Sequence, residues 1–125
     1  MPDRDPQLLK GVLPMLVLLL LTEGESYGYE LVTRLQADGL TDIAAGTVYP
    51  VLARLEREGH VSSRLVASSS GPARKYYRPT ADGAAELATA LRGWDHLSDT
   101  VRAVLDRAAT PKEACLLYTS PSPRD

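Results

Sequence analysis

The sequence holds a single cysteine, Cys115, among its 125 residues. An internal disulfide framework is therefore excluded, and the simplest compartment for such a chain is the cytoplasm. The two histidines, His60 and His96, have no spacing to each other or to Cys115 that resembles a metal site, so no metal ligand is assigned. Each is read as a partly exposed side chain. No Gly-rich phosphate loop and no Ser/His/Asp set is present, so no catalytic residue and no cofactor is expected. Long hydrophobic runs are also scarce. The densest, Leu8 to Leu21, is interrupted by Pro14 and falls short of the about 20 residues of a membrane span. The start, Met1-Pro2-Asp3-Arg4-Asp5, is not cationic, which removes the signal-peptide reading, and no membrane partner is expected. A helix apolar nearly all round is instead read as buried between partners, with Pro14 starting or kinking it.

The net charge of −2 gives no hint of nucleic acid, but its distribution does. Residues 54–78 hold six Arg or Lys and two Glu, a local +4 in an otherwise acidic chain. A basic block of this kind is the electrostatic footprint sought on a nucleic-acid binder, although many such blocks are only solvated faces. At its edge lies the most informative stretch, Gly46 to Gly59. Val48, Val51, Leu52 and Leu55 fall at i, i+3, i+4 and i+7, the spacing of one helical face. The opposite face carries Pro50, Ala53, Arg54 and Arg57, with Tyr49 on its flank, and Gly59 ends the helix. Such a front fits a DNA major groove, which is about 12 Å wide and admits a helix. Taken alone, the same pattern is also that of an ordinary surface helix.

The neighbouring segments supply the context. Ser26 is a candidate N-cap for a helix from Tyr27 to about Ala37, closed at Gly39 and followed by a turn over Leu40 to Ala45. Two helices joined in this way form a helix-turn-helix. After Gly59, His60 to Val66 places Val61 and Leu65 on one side of a strand, and Arg74-Lys75-Tyr76-Tyr77-Arg78 reads as a second strand. Ala67 to Ala73 between them is loop chemistry. The expected product is a hairpin with cations near its tip, a wing; the alternative is an edge hairpin that carries Lys and Arg only against aggregation.

Residues 80–108 read as one long helix with Thr80 as cap and Asp82 in the first turn. Leu87, Leu91, Trp94, Ser98, Val101, Leu105 and Ala108 make a heptad seam, widened by Leu97 and Val104. A compact head covers only part of such a helix, so an identical chain is expected to cover the rest, giving a homodimer. The interface is assigned to Leu16 and Leu20 of the first helix with Leu87, Leu91, Trp94, Leu97, Val101 and Leu105 of the last. The fold expected is mainly α with a small β-hairpin. A winged helix-turn-helix over 8–79 is followed by a dimerisation helix over 80–108. Residues 109–125, with two prolines and no helical period, are read as a disordered tail, possibly of foreign origin.

Four motifs together carry a resemblance. Leu8-Leu9-Lys10-Gly11, Tyr27-Gly28-Tyr29-Glu30-Leu31, the whole stretch Gly46 to Gly59, and Arg74-Lys75-Tyr76-Tyr77-Arg78-Pro79-Thr80 resemble, in order and spacing, the successive motifs of PadR-family transcriptional regulators. Two positions depart from the family pattern. Ala44-Ala45 stands where a Ser-Pro capping start is usual, and Pro14 stands where a helix former is usual. The resemblance implies a winged-helix homodimer of the small type with one C-terminal helix, generally a repressor of a double-stranded DNA operator. It also implies that the dimer face or a nearby pocket can receive a small effector.

Within that frame, Arg54 and Arg57 are expected to contact guanine or phosphate, with Thr47 and Tyr49 offering hydroxyls beside Pro50. Tyr27 and Tyr29 are candidates to clamp a phosphate at a helix start, or one of them is a core residue with only its hydroxyl wet. Arg74 and Lys75 of the wing would meet the backbone or the minor groove. Glu56 and Glu58 are read as surface or salt-bridge residues rather than readers of cytosine. Trp94 is the candidate effector-binding residue, since a tryptophan in the matching place of multidrug-sensing relatives stacks on planar aromatic ligands; the other reading is a coiled-coil core residue. The alternative functions are a winged helix that binds protein, against which the basic block argues, and a coiled-coil adaptor, which leaves the wing unexplained.

Overall fold

The computed structural model describes residues 6–108. Its elements are α1 (Pro6–Glu23), β1 (Ser26–Tyr27), α2 (Gly28–Ala37), α3 (Ala45–Arg57), β2 (Val61–Ser68), β3 (Gly71–Pro79) and α4 (Ala81–Ala108). The tail expected over 109–125, Cys115 included, lies outside the described residues. Two compact units divide the chain, the first running through Ala90 and the second starting at Leu91.

The first unit is organised on α1. Leu13, Val17, Leu18, Leu20 and Leu21 are all buried, as a helix apolar on most sides requires. The helix begins at Pro6, earlier than the sequence suggests, and runs on through Pro14 rather than starting there. A proline is tolerated in a first turn because the missing N–H has no partner there, whereas Pro14 leaves one internal carbonyl without its helical donor. Helix α2 contributes Leu31, Val32 and Leu35 to the same core, and α3 contributes Val48, Leu52 and Leu55.

Both helices of the helix-turn-helix end alike. After α3, Gly59 takes φ 81°, its N–H donates to Glu56 at 3.0 Å, and the N–H of His60 donates to Leu55 at 2.8 Å. After α2, Gly39 at φ 125° stands in the same relation to Gln36 and Leu40 to Leu35. A left-handed glycine here turns the chain while the last carbonyls remain bonded. At the other end α3 starts from Ala44 in extended conformation with no side-chain cap.

Ser26 does not cap α2. It belongs to β1, which pairs antiparallel with β3 through Ser26↔Tyr77 and Tyr27↔Tyr76, so the sheet has three strands in the order β1-β3-β2. Its hydroxyl accepts from Arg34 Nη1 at 2.6 Å, and the same guanidinium donates to Gly24 O (3.0 Å) and Leu20 O (2.7 Å). A buried serine oxygen needs such a partner, and the arginine supplies it while tying the end of α1 to α2.

The wing is longer than expected. Residues 67–73 are not all loop, because β2 extends to Ser68 with an irregularity after Val66, and β3 begins at Gly71. Val61 and Leu65 do not share a buried face. Val61 is fully covered, Ser63 half, and Leu65 is 72% exposed, so burial fades along one face of β2 as the core runs out.

Thr80 caps α4. Its Oγ1 accepts from Gly83 N at 3.0 Å and donates to Gly59 O at 2.6 Å, which joins the cap to the end of α3. Gly83 and Leu87 are buried in the first unit. In the second unit, α4 leaves Trp94, Leu97, Val101, Val104 and Leu105 each at least 42% exposed.

Candidate nucleic-acid interface

With Val48, Leu52 and Leu55 turned into the core and Val51 half-buried beside them, helical geometry puts the opposite face of α3 outward. Thr47, Pro50, Arg54 and Arg57 are exposed, as the spacing predicts. Arg54 Nε lies 3.4 Å from Glu58 Oε2, one turn on. Thr47, Pro50 and Arg54 also edge a groove of about 640 Å³ shared with Leu9, Lys10, Leu13 and Pro14 of α1.

Tyr49 sits differently from its neighbours. Its ring closes the space beside Gly28, where an added Cβ would stand 2.7 Å from Tyr49 Cζ and 2.9 Å from Cδ1. The side chain remains 45% exposed, so it joins α3 to the start of α2 and still reaches the surface. Gly28 is therefore part of the interface's construction. The only sequence signal for it is a glycine between two tyrosines.

The two tyrosines of α2's start separate. Tyr29 is 64% exposed at the beginning of the helix. Tyr27 is half-buried, edge-on to Tyr76 at 5.3 Å between ring centroids, with the Arg74 guanidinium 4.4 Å over its own ring. Arg74 is held there by the ring's negative face, so this wing cation and Tyr27 form one assembly. Of the pair, Tyr29 is the more exposed.

Lys75 is also engaged. Its Nζ lies 3.2 Å from Glu56 Oε1 on α3 and 5.6 Å from the centre of the Tyr77 ring. The Ser63 hydroxyl donates to the other carboxylate oxygen, Oε2, at 2.6 Å. The hydroxyl of Ser63, then the ammonium of Lys75, hold the Glu56 carboxyl below the usual carboxylate range against the opposing effect of burial. Glu56 in turn raises Lys75. Burial pushes the Tyr77 phenol up. Farther along, the Arg64 guanidinium donates to both oxygens of Glu25, from Nε at 3.1 Å and Nη2 at 2.5 Å, and lowers that carboxyl. These contacts fit Glu56 and Glu58 as surface or salt-bridge residues, whereas no spacing in the sequence marks the Arg64–Glu25 pair, whose members are 39 residues apart.

Leu20 and Leu87, expected at a subunit interface, are each only 8% exposed in the single chain, so their own core already covers them. Leu16 and Leu91 are half-buried. Trp94, Leu97, Val101 and Leu105 are open. Among the described residues no group of His, Cys, Asp and Glu is placed to hold a metal ion. None of the described helices is long and apolar enough to cross a membrane.

Comparison with known proteins agrees with this arrangement. Residues 17–89 match the transcriptional regulator PadR-like family. A solved PadR-like transcriptional regulator of Bacillus cereus is 41% identical, with 79% of this chain and 96% of that one covered and a TM-score of 0.71. A PadR-family regulator of Eggerthella lenta is 40% identical over 79% of this chain and 86% of its own, TM-score 0.73. A transcriptional regulator of Streptococcus is 38% identical over 80% and 98%, TM-score 0.72. An uncharacterised protein of Lysinibacillus sphaericus is 29% identical over 75% of this chain and 88% of its own length. The matched span takes in α2, α3 and the wing, and the chain belongs to the PadR-like family of transcriptional regulators, DNA-binding proteins built on a winged helix.

Proposed function

We propose that this regulator is a repressor that acts in the cytoplasm as a homodimer on a double-stranded DNA operator and is released by a small aromatic effector. The observation that carries the reading is the outward face of α3, where Thr47, Arg54 and Arg57 are exposed above a fully buried Val48 and Leu52. In a helix-turn-helix the second helix enters the major groove. Residues 8–79 are the reading head and residues 80–108 the dimerisation helix. Tyr29 and the wing cations Arg74 and Lys75 meet phosphates.

The homodimer is supported by the apolar stripe that α4 leaves open, Trp94, Leu97, Val101, Val104 and Leu105. A second copy of the same stripe buries it with closed symmetry. Trp94 then lies between subunits, where a planar ligand meets both, and a ligand that binds the non-DNA-binding spacing of the heads tenfold better lowers operator affinity by at most tenfold.

Titration of duplex DNA across salt concentrations tests the DNA reading. Affinity should fall steeply between low and moderate salt as neutralised phosphates release counterions; binding insensitive to salt, or absent, contradicts it. Titration with planar aromatic compounds tests the effector. Quenching of Trp94 emission together with operator release is expected, and quenching without release removes the switch.

A further inference from the structure

The three carboxylate contacts made by Arg54, Arg64 and Lys75 are not equivalent. Arg54–Glu58 joins two residues at the end of one helix, and Arg64–Glu25 joins β2 to the segment before β1. Of the three, only Lys75–Glu56 joins the wing to the outward helix of the head, across α3 and β3. Glu56 is also fixed from a third element, because Ser63 on β2 donates to its Oε2 at 2.6 Å while Oε1 faces Lys75 Nζ at 3.2 Å. The carboxylate thus has a second anchor besides the lysine. The Tyr77 ring borders the same ammonium at 5.6 Å.

We propose that Glu56 is a positioning residue for DNA specificity, holding the Lys75 ammonium against α3 and so withholding the wing's charge from the phosphates of unrelated DNA. The inference rests on the DNA-binding reading above. Both partners are substantially open to solvent, with 49% of the Lys75 side chain and 34% of Glu56 exposed, so the pair is weak and a well-placed phosphate can take the lysine. On a cognate site, base contacts from α3 fix the register and bring one phosphate to that position. On unrelated DNA no register is fixed, and the nearby carboxylate competes successfully for the ammonium. Non-specific binding is driven by phosphate neutralisation, so withholding one cation lowers it selectively.

The test uses the full chain with two probes, a duplex of unrelated sequence and the duplex that the wild type selects from a random pool. Glu56→Gln keeps the shape and the Ser63 hydrogen bond and removes the charge. On the unrelated duplex its salt slope should steepen by about 0.9, the value of one further phosphate. The affinity lost between about 50 and 200 mM salt then grows about 3.5-fold. On the selected duplex the slope should not change, so discrimination between the two falls at low salt. In a Lys75→Gln background, Glu56→Gln should alter neither slope. An unchanged slope in the single variant overturns the proposal, as does steepening that persists without Lys75, which marks a general charge effect.

A second readout needs no DNA. The Lys75 ε-ammonium, followed by NMR in the free protein, should titrate at lower pH in Glu56→Gln than in the wild type. Identical titration overturns the clamp even where DNA binding holds. A clamp seen in a protein with no salt-dependent duplex binding overturns the DNA reading, and the specificity role of Glu56 falls with it.

Discussion

The ring of Tyr49 on α3 fills the space where a side chain on Gly28, the first residue of α2, would begin. The two helices of the helix-turn-helix are therefore set against each other by an aromatic ring on one and the absence of a Cβ on the other. Gly28→Ala must displace that ring. Overpacking costs about 1–3 kcal/mol, and the half-open ring can swing, so a loss of about 1 kcal/mol is expected by chemical denaturation. Paired with Tyr49→Ala, the same substitution should cost far less, because the ring is gone. Equal cost in both backgrounds would assign the effect to something other than this contact.

The assembly prediction separates folding from association. Leu97 is 55% exposed in the single chain, so Leu97→Glu removes nothing from the core of the first unit. The variant should keep its helical circular dichroism and sediment as a monomer at micromolar concentration, because a charge cannot enter an apolar seam without partners. It should also bind DNA much more weakly, since two half-sites act together only when the heads are joined. A Leu97→Glu chain that remains a dimer removes α4 from the interface.

Acid stability follows from Glu25 and Glu56. Arg64 lowers the Glu25 carboxyl, and Ser63 with Lys75 lowers that of Glu56. Near the ordinary glutamate range the unfolded chain then holds more protons than the folded one, so stability rises with pH there. Their contribution is complete above about pH 4.3 and is lost as pH falls through the lowered folded values. Glu25→Gln and Glu56→Gln should each flatten the acid side of the stability curve. At the alkaline side the sign reverses, because Lys75 and Tyr77 are both raised. What they contribute is present below about pH 10 and lost as pH rises through the folded values. Lys75→Gln should flatten that arm in part.

Local patterns were readable before the structure wherever one element's own period or cap decided the matter. Val48, Leu52 and Leu55 are buried on the face their spacing predicts, Gly59 turns the chain after α3, and Thr80 caps α4. What failed to show were contacts made across the chain. Ser26 carries the same local signal as an N-cap, but pairing with Tyr77 and the Arg34 hydrogen bond claim it for a two-residue strand too short to have a period. Leu65 alternates correctly with Val61 yet is open, since alternation says which face a side chain takes and not how far the core extends beneath it. The basic block was legible as a sum of charge. That Lys75 turns its charge toward Glu56, and that Arg74 rests on Tyr27, depends on how the wing folds back, which no spacing records.

The most direct test of the central claim is base preference. The wild type and an Arg54→Ala/Arg57→Ala variant would each be allowed to select binding sites from a random duplex pool. The wild type should enrich a pseudo-palindrome whose half-sites lie about one helical turn apart. The variant should retain salt-dependent binding but lose preference at the guanines those side chains reach, about 1–3 kcal/mol of discrimination at each. Identical selected sequences from both chains would mean that the outward face of α3 does not read the operator.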